Sequence, residues 1–295
     1  MKKYRGVFPA LYACFDPLGR IDPRGVRNMT RFLCGKGVAG IFVNGKPEGA
    51  PPLTVREKIA VTENVMAQAA GQVMVVCRTG CSSVEDTLEL TRHAALCGAD
   101  AAAVPLPREG AAFGEALDHG RRVADCAPDT DMIFCDVPLP GNETEKGLLD
   151  AFVRETRTKG VILPANRGGD IAEYRKLFGD GVSLFTTGEA DFENTIGRGA
   201  DAVISYLSAL IPEECVRRES DVRFNPSRRG AGEDSVIDRL DKLFLSCESR
   251  SAVAREVLRQ ARGMDCGRAR PPEEMTDVDR EVAGECVRVL KSAGL

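Results

Sequence analysis

The strongest constraint on this chain is an alternation repeated from Gly6 to about Ser220: a short apolar run, a turn, then a helical pattern. It is clearest between Val38 and Lys58. Gly40–Val43 is a β-branched and aromatic tetrad suited to a strand buried on both faces. Asn44 to Pro52 is crowded with Gly and Pro and continues neither strand nor helix, so it is loop. Thr54 stands three residues before Glu57, the spacing of a capping box, and opens a helix. Further strand-like segments begin at Gly6, Val73, Ala101, Met132, Gly160, Val182 and Ala202. Helices are predicted from Pro23 to about Lys36, from near Ser82 or Ser83 to Cys97, and around Gly114 to Cys126. Others follow at about Glu145 to Arg157, Ile171 to Phe178 and Asp191 to Arg198. Eight β-α units over roughly 210 residues predict an α/β chain folded as a (β/α)8 barrel. A doubly wound sheet is the alternative, but it uses fewer strands, and no Gly-x-Gly-x-x-Gly turn follows the first one here.

After Pro212 the pattern changes. Arg217 to Glu233 is highly charged without a clear apolar period and reads as loop or irregular helix. Helical spacing returns at Val236, Ile237, Leu240 and Leu243, again at Ala252 to Leu258, and finally from Val278 to Leu290. Pro271 and Pro272 mark a break before the last of these, with Thr276 as its cap. The division expected is a barrel over 1–215 and a C-terminal helical domain over 216–295.

Composition narrows the function. With 295 residues and 43% hydrophobic content there is enough core for one large domain plus a smaller one. Forty Lys and Arg against 44 Asp and Glu leave a net charge of -4, which argues against nucleic acid or a membrane surface as partner. No apolar run approaches about 20 residues, and Met1 to Arg5 lead directly into a strand-like segment. Neither a membrane span nor a signal peptide is expected, and the location expected is cytoplasmic. The 11 cysteines contain no C-x-x-C pair, and only two histidines, His93 and His119, accompany them. Zinc is therefore not expected, no other metal or cofactor is called for, and the thiols read as reduced and buried.

In a parallel barrel the loops leaving the C-terminal strand ends form the site. Lys46 and Glu48 therefore fall at the mouth, in the loop after strand two. Lys46, Arg78, Arg108 and Arg167 follow strands two, three, four and six, and together would make a cationic rim for a carboxylate or phosphate. Glu48, Asp136 and Glu189 follow or end strands; each can serve as general acid or base, or instead pair with those arginines. Cys77 and Cys135 are also expected near the mouth, whereas His93 and His119 sit in helices as structural residues.

Several of these segments carry a resemblance. Gly6–Leu11, Phe15–Asp22, Gly37–Gly45 and Leu53–Lys58 resemble the dihydrodipicolinate synthase and N-acetylneuraminate lyase family, the pyruvate-type class I aldolases. The likeness continues through Thr91–Ala94, Gly98–Ala101, Val137–Pro138, Gly199–Ser205 and Arg270–Pro272. It implies a (β/α)8 barrel with a C-terminal helical extension, a homo-oligomer of two or four chains, and a small 2-keto acid or related carboxylate as ligand.

The same resemblance marks where this chain departs. The family forms a Schiff base on a lysine in a Gly-Ile-Lys-Glu pattern; Gly160–Leu163 places Ile162 there. The tyrosine of a Tyr-Asn-Val-Pro run becomes Cys135, and a thiol is a poor substitute for a phenol that relays a proton. Pro140 or a neighbour stands where many members carry a substrate-holding arginine, and the Gly-Thr-Thr-Gly-Glu loop is Gly45–Gly49, without either threonine. Two readings follow. In the first, a reworked site uses Lys46 as amine, with Glu48 or Asp136 handling protons, desolvation or a cation such as Arg78 lowering the amine's pKa. In the second, Gly45, Lys46, Arg78, Arg108, Arg167 and Glu189 line a pocket that holds an anion without covalent chemistry.

Overall fold

A computed structural model describes residues 4–45, 53–107, 112–137, 139–163, 171–188, 192–225, 235–268 and 275–295. Eight parallel strands run β1 (Gly6–Pro9), β2 (Gly40–Val43), β3 (Met74–Arg78), β4 (Ala101–Pro105), β5 (Asp131–Cys135), β6 (Thr158–Ile162), β7 (Ser183–Thr187) and β8 (Ala202–Ser205). They are hydrogen-bonded in the order β1-β8-β7-β6-β5-β4-β3-β2. The ring closes between its ends through a parallel bridge from Ala10 to Phe42, with Leu11 N donating to Phe42 O at 2.9 Å and Ala39 N to Val7 O at 3.0 Å. The helices between the strands are α1 (Pro23–Cys34), α2 (Val55–Ala69), α3 (Val84–Leu96), α4 (Phe113–Asp125), α5 (Glu143–Glu155), α6 (Ile171–Phe178) and α7 (Phe192–Gly197). After β8 come α8 (Pro212–Phe224), α9 (Val236–Ser246), α10 (Arg250–Arg262) and α11 (Asp277–Ser292). The chain is thus a (β/α)8 barrel with a C-terminal helical extension, α9 to α11.

Helix starts follow local chemistry. Asp22 accepts from Arg24 N ahead of Pro23, Thr54 and Glu57 exchange both bonds of a capping box, and Ser83 accepts from Asp86 N. Asn142 and Thr276 do the same for α5 and α11. Of the stretch read as loop or irregular helix, Arg217 to Phe224 is regular helix, the second half of α8. Its order comes from charge rather than from an apolar stripe. Arg217 pairs with Glu214 at 2.6 Å and Asp221 at 3.2 Å, Arg223 with Glu219, and buried Arg218 reaches Glu193 of α7.

The barrel interior is built around two rings. Phe8 and Phe185 meet edge to face with centroids 5.4 Å apart, and Tyr4 lies 6.4 and 6.1 Å from them. Rings this large leave no room for side chains opposite. A Cβ on Gly40 would overlap the Phe8 ring and come 2.7 Å from Met74 O, and a Cβ on Gly160 would lie 2.8 Å from Phe185. Ala101, Ala103 and Ala202 complete the same fully buried layer. The low strand propensity of Ala101–Val104 therefore reflects a volume requirement, which outweighs intrinsic preference. At the closed end Tyr4 Oη stands 2.8 Å from Asp131 Oδ2 and 2.9 Å from Asp100 O, and burial beside these acids pushes the phenol's pKa strongly up.

Gly40→Ala should therefore overpack the interior and lower stability by about 1–3 kcal/mol. Gly147→Ala, at an exposed position of α5 with open space around it, should raise stability by about 0.5–1 kcal/mol. Urea unfolding midpoints of the two variants check both signs.

Candidate active site

Strand alternation selects what faces the barrel axis. Met74, Val76 and Arg78 share one face of β3; Ile133 and Cys135 share one of β5; Gly160 and Ile162 share one of β6; Phe185 and Thr187 share one of β7. Val76, Ile133, Ile162 and Phe185 belong to the interior cluster, with Met74 and Cys135 packed against it. Cys135 and Ile162 are register partners across β5 and β6, and Ile162 in turn pairs with Phe185. The floor of the mouth on this side is thus a buried branched hydrocarbon beside a half-buried thiol. Burial pushes the Cys135 thiol up to about 12, with the Asp136 charge adding to the rise and the Arg78 cation opposing it.

Arg78 is the last residue of β3 and half-buried. Among the described residues it forms no hydrogen bond or ion pair; its resolved interaction is with the Cys135 thiol. The loop just beyond it is fastened from several sides. Lys58, buried on α2, donates to Gly80 O at 3.0 Å and Cys81 Sγ at 3.2 Å, and Thr91 Oγ1 lies 2.8 Å from Thr79 Oγ1. Gly80 carries Pro105 against its Cα, where a Cβ would collide with the ring. Arg78 therefore projects from a fixed base.

The segments that follow β1, β2 and β8 meet at the same end of the barrel. Tyr12 and Tyr206 lie 5.7 Å apart, centroid to centroid. Half-buried Gly45 faces the Tyr206 hydroxyl, which a Cβ at that position would approach to 2.8 Å. Asn44 and Asp136, at the ends of β2 and β5, both adopt φ of 61°, a left-handed conformation that turns the chain out of the strand. The Asn44 amide points away from the axis, donating to Lys58 O at 3.2 Å and Thr62 Oγ1 at 3.0 Å. Asp136 N reaches Ile162 O at 3.4 Å, tying the turn after β5 to the end of β6.

Of the residues singled out in the sequence, Gly45, Arg78, Cys135, Asp136 and Ile162 are brought to this end of the barrel. Lys46, Glu48, Arg108, Arg167 and Glu189 lie outside the described residues. Cys77 is a correction: it faces the helices, not the mouth. It is fully buried in the cluster shared with α2, and its thiol is pushed up to about 12 by desolvation, with Thr62 opposing the rise. A two-residue period puts Cys77 and Arg78 on opposite faces, and both cannot line the mouth. Tyr12 and Tyr206 were missed; the available cue was an aromatic immediately after strand eight. Among the described residues no three His, Cys, Asp or Glu side chains are grouped to hold a metal ion.

The chain matches the model of the dihydrodipicolinate synthetase family over residues 3–285. It is 27% identical to N-acetylneuraminate lyase of Mediterraneibacter gnavus over 304 residues, covering 99% of this chain and 94% of that protein. It is also 27% identical to 4-hydroxy-tetrahydrodipicolinate synthase of Methanothrix thermoacetophila over 219 residues, 72% of each chain. Among solved structures it superposes on a catalytic-lysine mutant of Ruminococcus gnavus sialic acid aldolase with a TM-score of 0.90 and 26% identity, covering 100% and 99% of the two chains.

The raised thiol sets an expectation for reactivity. A thiol of pKa about 12 is about one part in ten thousand thiolate at pH 8, so Cys135 should alkylate about a thousandfold more slowly than a model thiol of pKa 9. Removing the cation in Arg78→Ala should slow it further, because the group that favours thiolate is lost. Peptide mass spectrometry after timed iodoacetamide treatment reads both rates.

Proposed function

This chain belongs to the dihydrodipicolinate synthetase family, and we propose that it holds a small carboxylate of the 2-keto acid class at the barrel mouth without forming an imine. The observation that carries the reading is Arg78, a half-buried guanidinium on a fastened strand end that forms no ion pair among the described residues, although the Asp136 carboxylate acts on the same Cys135 thiol. A guanidinium offers a carboxylate two parallel N–H donors, and such charge-assisted bonds contribute about 1.5–3 kcal/mol each. Apolar Ile162 and half-buried Tyr206, whose ring lies 5.7 Å from that of buried Tyr12, belong to the same end of the barrel, apolar and aromatic groups of the kind that line small-molecule sites.

The sialic acid aldolase of Ruminococcus gnavus has a catalytic lysine, the residue exchanged in the mutant on which this chain superposes. Here the motif carries Ile162 at the Schiff-base position, and an imine needs a nucleophilic amine that isoleucine lacks. The phenol expected one strand away is Cys135, whose thiol keeps its proton and donates weakly. Both exchanges remove the covalent route while leaving the barrel intact. A carboxylate would then sit between Arg78, Gly45 and the loop carrying Lys46, with Arg108, Arg167 and Glu189 as further rim groups and Asp136 or Glu48 available for proton transfer. The same reading takes the protein as a homo-oligomer of two or four chains in a reducing, cytoplasmic setting, with neither nucleic acid nor membrane as partner. The near balance of charge supports it, and no described helix is long and apolar enough to cross a membrane.

Pyruvate followed by borohydride separates the two mechanisms. The intact mass should stay unchanged, while pyruvate at a hundredfold excess over its Kd should stabilise the fold by about 2.7 kcal/mol, a rise of several degrees in Tm. Arg78→Ala should abolish that rise. A pyruvyl adduct retained after reduction, on Lys46 or any other lysine, overturns the non-covalent reading. An unchanged Tm overturns binding.

A further inference from the structure

Away from the mouth, two thiols from distant parts of the chain meet in a buried, charged setting. Cys14 lies in the connection from β1 to α1, and Cys266 follows α10 in the C-terminal extension. Both are buried, at 1% and 2% exposure, each is the largest influence on the other's titration, and Cys14 Sγ donates to Tyr12 O at 3.7 Å. Their backbones are side by side: Phe15 N donates to Cys266 O at 3.0 Å. Arg255 of α10 fastens the same junction, donating through Nη1 to Cys266 O at 2.6 Å and through Nη2 to Ala13 O at 2.8 Å. Gly267, at φ +70, lets the chain lie directly on the Phe15 carbonyl, where a Cβ would collide. Gly25 does the same on the other side, since a Cβ there would come 2.7 Å from the Cys14 Cβ.

The charge balance of the junction is unusual. Arg255 is buried, stacks over Phe15 at 5.1 Å, has no partner for its Nε, and forms no ion pair with a carboxylate among the described residues. The charged groups that reach the thiols are Arg255 and, acting in the opposite sense, Asp22 and Asp265. A buried cation without a carboxylate favours an anion nearby. The two thiols titrate as a pair, and the Arg255 charge lowers both, so that one of them loses its proton more readily than an isolated buried thiol. A thiolate in the pair, beside the Arg255 cation, is a nucleophile with a second thiol next to it.

We propose that Cys14 and Cys266 are a peroxide-responsive dithiol that closes to a disulfide and staples the C-terminal extension to the barrel. The Cys266 thiolate attacks one peroxide oxygen, the O–O bond breaks, and the sulfur becomes a sulfenic acid as hydroxide leaves. Cys14 then attacks that sulfur; the S–O bond breaks, and the departing hydroxide takes the Cys14 proton as water. In sum, two thiols and one hydrogen peroxide give one disulfide and two waters, each sulfur losing one electron and each peroxide oxygen gaining one. Burial limits the oxidant to a small peroxide. The cross-link joins segments at the two ends of the chain, and closing so long a loop stabilises chiefly by restricting the unfolded chain.

The full-length protein, treated with hydrogen peroxide, alkylated and digested, is expected to yield a peptide pair joining Cys14 to Cys266, lighter by two hydrogens and separated again by dithiothreitol. Its Tm should rise by several degrees on oxidation and return on reduction, and Cys266→Ser should lose both the cross-link and the rise. Recovery of Cys14 and Cys266 after peroxide as separate alkylated or sulfinic peptides in the wild-type protein overturns the proposal, whatever the variant does.

Discussion

The edge-to-face contact of Phe8 with Phe185 governs the interior of this barrel. Once two rings occupy the axis, the neighbouring strands contribute glycine or alanine at the same level, as Gly40, Gly160, Ala101, Ala103 and Ala202 do. The residues one step nearer the mouth then rest on a packed layer instead of reaching across a void. Ile162 is one of these: it stands two positions after Gly160 on β6 and beside Phe185 in register. An ammonium on the same strand position would have to be desolvated above two aromatic rings, whereas a branched hydrocarbon completes the packing without that cost. The apolar floor of the mouth is therefore continuous with the core that stabilises the fold.

Among the described residues, charge reaches the Cys135 thiol from two strand ends, Arg78 of β3 and Asp136 after β5. Arg78 rises from β3, and the strand ends facing it bring a protonated thiol, hydroxyls and aromatic edges. Lys58, the other buried cation nearby, is committed to Gly80 O and Cys81 and serves to hold the loop. In the proposed reading a ligand carboxylate would meet the Arg78 guanidinium in a partly desolvated setting, where charge-assisted bonds are strong and screening by salt is weak. Positioning of that guanidinium depends on residues that never face the mouth, Thr79, Thr91 and Pro105 among them.

Much of the fold could be read in the amino acids because local rules and global packing agree. Apolar strands, capped helices and a count of eight gave the barrel, and the caps at Asp22, Thr54, Ser83 and Thr276 are where the spacing put them. Boundaries were less legible: β6 begins at Thr158, two residues before the glycine that opens its apolar run, beside a register shift between Met132 and Ile133. α8 hid because its order rests on ion pairs, which hydrophobic periodicity does not detect. In the site, Cys135 and Ile162 were legible by motif and Arg78 by strand position. Cys77 was assigned to the wrong face, since in a doubly buried strand hydrophobicity does not reveal which residues point inward. Tyr206 escaped because its role depends on Gly45, a neighbour from a strand far away in sequence.

The connection from β1 to α1 is one of several contacts between the barrel and the C-terminal extension, which share one hydrophobic cluster. Tyr12 packs against Tyr206, and two residues later Cys14 lies under the C-terminal extension. Between them the Ala13 carbonyl accepts from Arg255, a residue of α10. Backbone this short transmits displacement directly: a shift of Cys14 toward Cys266 moves Ala13, and with it the base of the Tyr12 ring. Tyr12 packs on Tyr206, whose hydroxyl faces Gly45, so a continuous chain of packed side chains runs from the C-terminal extension to the end of β2.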